Sequence, residues 1–206
     1  MNLANKLTIF RIILVPIFVI IGYLGTAAGI FNNQVLGIAL YLIIMDVIFI
    51  IASITDKLDG YIARSRNQVT AFGKFLDPLA DKILVLTALV MLVEYGKIPA
   101  WIPVIVLSRE FLVSGYRLIA VQQSGAVIAA SIWGKLKTVT QMIAIILIFV
   151  DKYNFFDFVL NNSGMSTFAI VFNAITSILL AISTIATIFS GYDYLKGGKE
   201  LFKNAN

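Results

Sequence analysis

The chain has 206 residues, of which 60% are hydrophobic and only 13% are charged, with a net charge of +5. Soluble domains are roughly half apolar and a quarter charged, so this composition is typical of an integral membrane protein. Cysteine and histidine are both absent, which excludes disulfides, zinc-finger sites and catalysis by Ser-His or Cys-His pairs. Any metal chemistry must therefore use carboxylate oxygens, which prefer hard cations such as Mg²⁺ and Mn²⁺.

Six long apolar runs predict transmembrane helices, because backbone polar groups must be paired internally within a lipid bilayer. The predicted cores are residues 9–25, 36–54, 83–95 (extending back toward Asp77), 100–120, 136–150 and 167–190. The connecting loops are short and leave no room for a soluble domain. We therefore expect one all-α integral membrane domain, residues 1–206, with six transmembrane helices and an active site in a cytoplasmic-side cavity between them.

Basic residues are distributed unevenly between the two sides of the predicted helices. Thirteen fall on the side of the termini, Lys97 and Lys152 fall on the other side, and Arg109 lies within a span. Because loops rich in Lys and Arg stay in the cytoplasm, we expect a multi-pass cell-membrane protein whose termini and active site are cytoplasmic. The thirteen are Lys6, Arg11, Lys57, Arg64, Arg66, Lys74, Lys82, Arg117, Lys135, Lys137, Lys196, Lys199 and Lys203.

Two pairs of aspartates lie where the second predicted span ends and the third begins. Asp56 and Asp59 are three residues apart, and Asp77 and Asp81 are four apart, so on helices each pair shares one face. A chain reversal between the pairs would bring all four carboxylates together. Such a cluster needs compensation for its charge, which divalent cations supply. Two-metal centres of this kind suit phosphoryl transfer.

Residues beside the aspartates favour a phosphate-containing ligand. Gly60 and Gly73 allow the backbone to approach a ligand closely, and the guanidinium of Arg64 matches phosphate oxygens. The alternative is that these residues are ordinary solvated loop charges. That alternative does not explain the paired helical spacing on both sides of the turn.

The same segment resembles, at every position, the signature of the CDP-alcohol phosphatidyltransferase family. The signature covers only 26 residues, but the length and the six predicted spans are also similar to this family. The resemblance implies two divalent cations, Mg²⁺ or Mn²⁺, held by the four aspartates on the diphosphate of CDP-diacylglycerol. The matching run is Asp56-x2-Asp59-Gly60-x2-Ala63-Arg64-x8-Gly73-x3-Asp77-x3-Asp81.

The resemblance also implies roles for individual residues. Asp81 is expected to be the base that takes the proton of the acceptor hydroxyl, in addition to binding metal. Two residues of the amino-terminal segment and three residues of the signature are expected to surround CDP-diacylglycerol. These residues are Asn5, Thr8, Gly60, Arg64 and Gly73.

Three further stretches, NLANKLTIFRIILVPIF, SREFLVSGYRLIA and GKLKTVTQ, resemble the phosphatidylglycerophosphate-forming branch of this family. That branch transfers the phosphatidyl group to glycerol 3-phosphate and releases CMP. One small departure is Ala4, where the family often has proline.

The last two stretches carry basic residues that suit a phosphate monoester. Arg109, Arg117, Lys135 and Lys137 are predicted to form a cationic pocket for the acceptor phosphate. Charged residues within a span are costly unless they are paired or face water, so the adjacent Arg109 and Glu110 can instead be a structural ion pair. The two lysines can likewise be simple anchors at the membrane surface.

Partners and rival functions follow from the same residues. Membrane lipid, CDP-diacylglycerol and glycerol 3-phosphate are the expected partners, together with a second copy of the chain in a homodimer, and no nucleic acid is expected.

One rival function is that of a related transferase with a cardiolipin-type, phosphatidylserine-type or inositol-phosphate acceptor. The other is a divalent-cation channel, in which rings of aspartates select ions.

Overall fold

The structure is a computed structural model that describes residues 3–65, 71–124 and 131–203, with side chains described for residues 5–56, 79–117, 119 and 131–196. It is mostly helical, as predicted. The helices are α1 (Leu3–Thr26), α2 (Leu40–Ser65), α3 (Ala71–Glu94), α4 (Trp101–Ser124), α5 (Ile132–Val150), α6 (Asp157–Leu160) and α7 (Thr167–Lys203), and a short hairpin of β1 (Gln34–Val35) and β2 (Ile38–Ala39) precedes α2.

Three segments within the described residues are long and apolar enough to cross a membrane: Asn5–Thr26, Ile132–Val150 and Thr167–Lys196. They lie on α1, α5 and α7, at three of the six predicted spans. The described side chains of α2, α3 and α4 cover only part of each helix. A helical membrane protein is therefore supported, and the full set of six spans stays a prediction.

The second predicted span begins later than expected. Residues 36–54 were predicted as its core, but the structure starts α2 at Leu40. The preceding residues form an antiparallel hairpin that pairs Gln34 with Ala39. Leu36 and Gly37 both have positive φ, 55° and 77°, which is the pattern of a two-residue type I′ turn. The apolar residues Leu36, Ile38 and Ala39 made this stretch look like the start of a span. Hydrophobicity does not reveal the positive φ angles that form the turn.

The chain divides into two compact units, each described separately below. Unit 1 contains residues 1–97 and 146–154, and unit 2 contains residues 98–145 and 155–206. The prediction of one domain over residues 1–206 stays a prediction.

In unit 1, α1 packs against both α2 and α3. Buried positions on α1 recur every three or four residues, which places them on one face of the helix. The deeper part of this face is apolar and includes Phe18, whose ring meets that of Phe149 edge-on at 5.7 Å. Toward the amino terminus the same face becomes polar. Its buried residues are Asn5, Thr8, Arg11, Val15 and Phe18.

Two glycines let α1 approach its neighbours closely. A Cβ at Gly22 would collide with the Tyr95 hydroxyl, and a Cβ at Gly25 would collide with the Tyr41 ring. The two tyrosine rings meet at 5.7 Å, and the Tyr95 hydroxyl lies 3.3 Å from the sulfur of Met45. Large aromatic side chains thus fill the space that glycine leaves open.

In unit 2, α4 packs along α7, and more than half of the buried residues of α7 are Ser or Thr. Such residues allow two helices to approach closely in a membrane, where apolar surface alone does not drive association. Several hydroxyls are bonded within the helix, as when Thr187 donates to the Ser183 carbonyl at 2.7 Å. The buried polar residues of α7 are Asn173, Thr176, Ser177, Ser183, Thr184, Thr187 and Ser190.

Candidate active site

The structure places the two aspartate pairs on two helices, as the sequence spacing predicted. Asp56 and Asp59 belong to α2, and Asp77 and Asp81 belong to α3. The side chains of Asp56 and Asp81 are described, and both are partly exposed. The side chains of the other predicted residues of this segment lie outside the described residues. They are Asp59, Gly60, Arg64, Gly73 and Asp77.

A buried arginine meets the first of these aspartates. Arg11 Nη1 lies 2.7 Å from Asp56 Oδ1; the arginine side chain is 0% exposed and the aspartate side chain is 32% exposed. A buried ion pair of this kind costs desolvation energy and is strongly destabilised when one partner is removed. The pair therefore holds the amino-terminal half of α1 against the aspartate-bearing end of α2.

Two predicted ligand residues lie on the same helix face as this arginine. Asn5 and Thr8 are 8% and 1% exposed, and with Arg11 they repeat every three residues. Sequence analysis counted Arg11 as a positive charge on the cytoplasmic side and as a polar position of the amino-terminal stretch, but did not predict its burial or its pairing with Asp56. The spacing of Asn5, Thr8 and Arg11 was the available signal that this face is buried and polar.

The donor set of the aspartate site fits a hard divalent cation. Its predicted ligands are all carboxylates, which Mg²⁺ and Mn²⁺ prefer. The exposure of the Asp56 side chain leaves its carboxylate accessible despite the ion pair. Arg11 offsets the charge of Asp56 alone. The clustering of all four carboxylates, and with it the need for divalent cations, stays a prediction.

Unit 2 contains a second charged network around Glu110. One carboxylate oxygen, Oε1, accepts a hydrogen bond from Arg109 Nη1 at 2.8 Å and from Lys137 Nζ at 2.7 Å. The side chains are nearly buried, at 13% exposure for Arg109 and Glu110 and 9% for Lys137. The predicted structural ion pair of Arg109 and Glu110 is therefore present, and Lys137 joins it.

The carboxyl-terminal part of α7 completes this network. Ser190 Oγ accepts hydrogen bonds from Arg109 Nη2 at 2.6 Å and Nε at 3.2 Å. The Tyr194 hydroxyl accepts one from Arg117 Nη2 at 2.8 Å. The guanidinium carbons of Arg109 and Arg117 lie 5.9 and 5.6 Å from the centroid of the Tyr194 ring, within the range of cation–π attraction. Sequence reasoning did not identify Ser190 or Tyr194.

The start of α5 also approaches Arg109 closely. Ser131 Oγ accepts the backbone N–H of Gly134 at 3.1 Å, which is a helix N-cap interaction. A Cβ at Gly134 would lie 3.1 Å from Arg109 Nη2, so glycine leaves room for the guanidinium. This arrangement fixes the end of α5 that carries Lys137.

The structure separates the two lysines of the predicted acceptor pocket. Two residues apart on an α-helix are about 200° apart around its axis, and Lys137 is buried while Lys135 is exposed. Of the four predicted pocket residues, Arg109, Arg117 and Lys137 belong to one network. Lys135 is on another side of α5, and its role in the pocket stays a prediction.

Comparison with known proteins identifies the family. A family model for CDP-alcohol phosphatidyltransferase matches residues 1–189. This range contains the complete aspartate signature and most of both units. The chain therefore belongs to the CDP-alcohol phosphatidyltransferase family.

Curated relatives narrow the comparison to one branch of this family. A Bacillus subtilis (strain 168) protein is 40% identical over 205 residues, covering 100% of this chain and 99% of the relative. A Haemophilus influenzae protein is 40% identical over 202 residues, covering 96% and 94%, and a Rickettsia bellii protein is 37% identical over 203 residues, covering 98% and 97%. All three are named CDP-diacylglycerol–glycerol-3-phosphate 3-phosphatidyltransferase.

The unequal burial of Arg11 and Asp56 predicts unequal effects of removing either charge. Asp56→Asn removes a carboxylate from a fully buried guanidinium and should lower the free energy of unfolding by roughly 3 kcal/mol. Arg11→Met leaves a carboxylate that water can reach, so its cost should be smaller. Unfolding of both variants in one detergent measures the difference. The exposed Lys6→Met on the same helix is the control, and equal losses for Asp56→Asn and Arg11→Met would contradict the expectation.

Proposed function

We propose that this protein transfers the phosphatidyl group of CDP-diacylglycerol to glycerol 3-phosphate, giving phosphatidylglycerophosphate and CMP. The observation that carries this proposal is the end-to-end similarity to three transferases of that name, at 37 to 40% identity. The rival acceptors, and the rival function of a cation channel, have no comparable support among these relatives. An assay with purified protein, CDP-diacylglycerol and a panel of acceptors tests the assignment, and CMP release that requires glycerol 3-phosphate is the expected result.

The aspartates of α2 and α3 are the proposed reaction centre. Asp56, Asp59, Asp77 and Asp81 would hold two divalent cations, which would neutralise the diphosphate and stabilise the departing CMP. Asp81 accepts the proton of the glycerol 3-phosphate hydroxyl as that oxygen attacks the phosphatidyl phosphorus. Partial exposure of the Asp81 side chain is compatible with access of this proton to the carboxylate.

Residues of α1, α2 and α3 are proposed to bind the nucleotide end of CDP-diacylglycerol. For Asn5 and Thr8, this role is supported by their position on the face of α1 that carries Arg11, the partner of Asp56. For Gly60, Arg64 and Gly73, the role is supported by the signature match alone. The acyl chains are expected to remain in the lipid while the polar end enters the site.

The network around Glu110 is proposed to bind the phosphate of the acceptor. It contains three cations, Arg109, Arg117 and Lys137, and one carboxylate, so it keeps an excess of two positive charges. A phosphate monoester carries about −1.5 to −2 charge at neutral pH, which this excess balances. Arg117 is the exposed member and the one best able to contact a ligand from solvent.

The membrane arrangement and the assembly are also proposals. The charge distribution of the loops supports six spans with both termini in the cytoplasm of a cell membrane. The resemblance to the family supports a homodimer.

Metal dependence predicts complete loss of turnover on removal of an aspartate. Asp77→Ala and Asp81→Ala should each abolish CMP release, while the exposed Glu94→Gln at the other end of α3 should leave it unchanged. EDTA should stop the wild-type reaction, and added Mg²⁺ or Mn²⁺ should restore it. CMP release assays at matched protein concentration measure both effects, and activity that persists without metal would refute the two-cation site.

The acceptor site predicts a selective effect of Arg117→Ala. A charged hydrogen bond to phosphate contributes roughly 1.5–3 kcal/mol, so the KM for glycerol 3-phosphate should rise about 10- to 150-fold. The KM for CDP-diacylglycerol should change little. Lys135→Ala, measured in parallel, decides whether this exposed lysine belongs to the site. If Arg117→Ala changes only the KM for CDP-diacylglycerol, the assignment of Arg117 to the acceptor site is wrong.

The proposed orientation predicts one-sided labelling of single cysteines. The chain has no cysteine of its own, so a cysteine at Asn162 should react with an impermeant thiol reagent added outside intact cells. A cysteine at Gln68, between α2 and α3, should react only after the membrane is opened. Labelling in the reverse pattern would mean that the orientation is opposite to the one that the charge distribution predicts.

A further inference from the structure

The ring and hydroxyl of Tyr194 contact two arginines of the network. Its hydroxyl oxygen is 2.8 Å from Arg117 Nη2, and its ring is within 6 Å of the guanidinium carbons of both Arg117 and Arg109. The tyrosine itself is 5% exposed. A buried residue therefore holds an exposed arginine by both a hydrogen bond and its aromatic ring.

The position of Tyr194 is fixed by packing that does not involve its hydroxyl. Its ring meets the ring of Tyr116 edge-on, with centroids 5.9 Å apart and planes at 71°. One turn before it on α7, Ser190 binds Arg109 through two guanidinium nitrogens. The hydroxyl of Tyr194 is thus presented to Arg117 from a part of α7 that makes further contacts with α4.

We infer that Tyr194 is a positioning residue, which holds Arg117 in place for the phosphate of the acceptor. An arginine has many rotamers, and ordering it when a ligand binds costs free energy that a fixed partner removes beforehand. The planar guanidinium also needs a defined orientation to present two N–H groups to one phosphate. This inference rests on the proposed function, and it adds a residue of α7 that acts on acceptor affinity without touching the substrate.

The chemistry of the acceptor makes this role selective. Only an acceptor with a phosphate monoester uses the orientation of Arg117, so loss of the Tyr194 hydroxyl weakens that acceptor. Binding of CDP-diacylglycerol, which is assigned to residues of unit 1, is independent of this contact. A purely structural tyrosine would instead change stability and both substrates together.

The test compares Tyr194→Phe with Tyr192→Phe. The first variant keeps the ring and removes the hydroxyl, and the second removes a hydroxyl from a tyrosine on the same helix that is 61% exposed. Tyr194→Phe should raise the KM for glycerol 3-phosphate about 2- to 12-fold, the range expected for ordering one long side chain. Its kcat and its KM for CDP-diacylglycerol should stay within about twofold of the wild type, and Tyr192→Phe should resemble the wild type throughout.

A double-mutant cycle with Arg117→Ala shows whether the tyrosine acts through the arginine. In the Arg117→Ala background, Tyr194→Phe should cause no further increase in the KM for glycerol 3-phosphate. Independent, multiplicative effects would overturn the inference, as would an unchanged KM in Tyr194→Phe alone. If Arg117→Ala itself leaves this KM unchanged, the proposed acceptor site fails together with the inference.

A binding measurement covers the case in which Tyr194→Phe is too unstable to assay. Glycerol 3-phosphate raises the unfolding temperature of a protein that binds it in the folded state, and this stabilisation should be smaller in Tyr194→Phe than in Tyr192→Phe. Equal stabilisation of the two variants would overturn the role of the hydroxyl. Wild-type protein that releases no CMP with glycerol 3-phosphate would instead refute the proposed function.

Discussion

A charge buried within membrane helices must have a partner, because lipid offers none. Unit 1 meets this constraint with Arg11 and Asp56 at 2.7 Å, and unit 2 meets it with Glu110 between Arg109 and Lys137. The Arg11–Asp56 pair joins α1 to α2, and the Lys137–Glu110 pair joins α5 to α4, whereas Arg109 and Glu110 both belong to α4. The pairs close only when α1 keeps its axial position against α2, and when α4 keeps its position against α5. Charge pairing therefore sets the register of the helices that carry the candidate site residues.

The polar network of unit 2 also depends on close packing of apolar and small residues. Apolar surface provides little drive for helix association in lipid, so small side chains and hydrogen bonds must supply it. The hydroxyl residues of α7 allow α4 to lie close along it. That close approach brings Ser190 to Arg109 and Tyr194 to Arg117. A larger residue on this face would disturb the proposed acceptor site without being part of it.

Much of the fold was predictable because its signals are local in the chain. Long apolar runs predicted the helices, and spacings of three and four residues placed each aspartate pair on one helix. The burial of Arg11 was not predicted. The same sequence allows a cation near a helix start to face either lipid headgroups or a neighbouring helix. Only the distant Asp56 decides between the two. Likewise, α7 gave no sign in its own sequence that Tyr194 would meet an arginine 77 residues earlier.

The two lysines of α5 show what helical geometry could have added to the sequence analysis. Their separation by two residues turns them to different sides of the helix, and of the two only Lys137 contacts Glu110 in the part of the chain whose side chains are described. The shared role of both lysines in an acceptor pocket stays a prediction.

The position of Glu110 limits the excess positive charge of the network that is proposed to bind the acceptor. Three cations alone would repel one another, and the nearly buried Arg109 and Lys137 would each carry a desolvation cost. One shared carboxylate lowers the excess to two charges and keeps Arg109 and Lys137 ordered. A phosphate monoester then meets a network whose charge it balances, with Arg117 outermost. In the proposed reaction, an acceptor without this phosphate would leave the excess charge uncompensated, so the residues proposed to bind glycerol 3-phosphate would also disfavour uncharged alcohols.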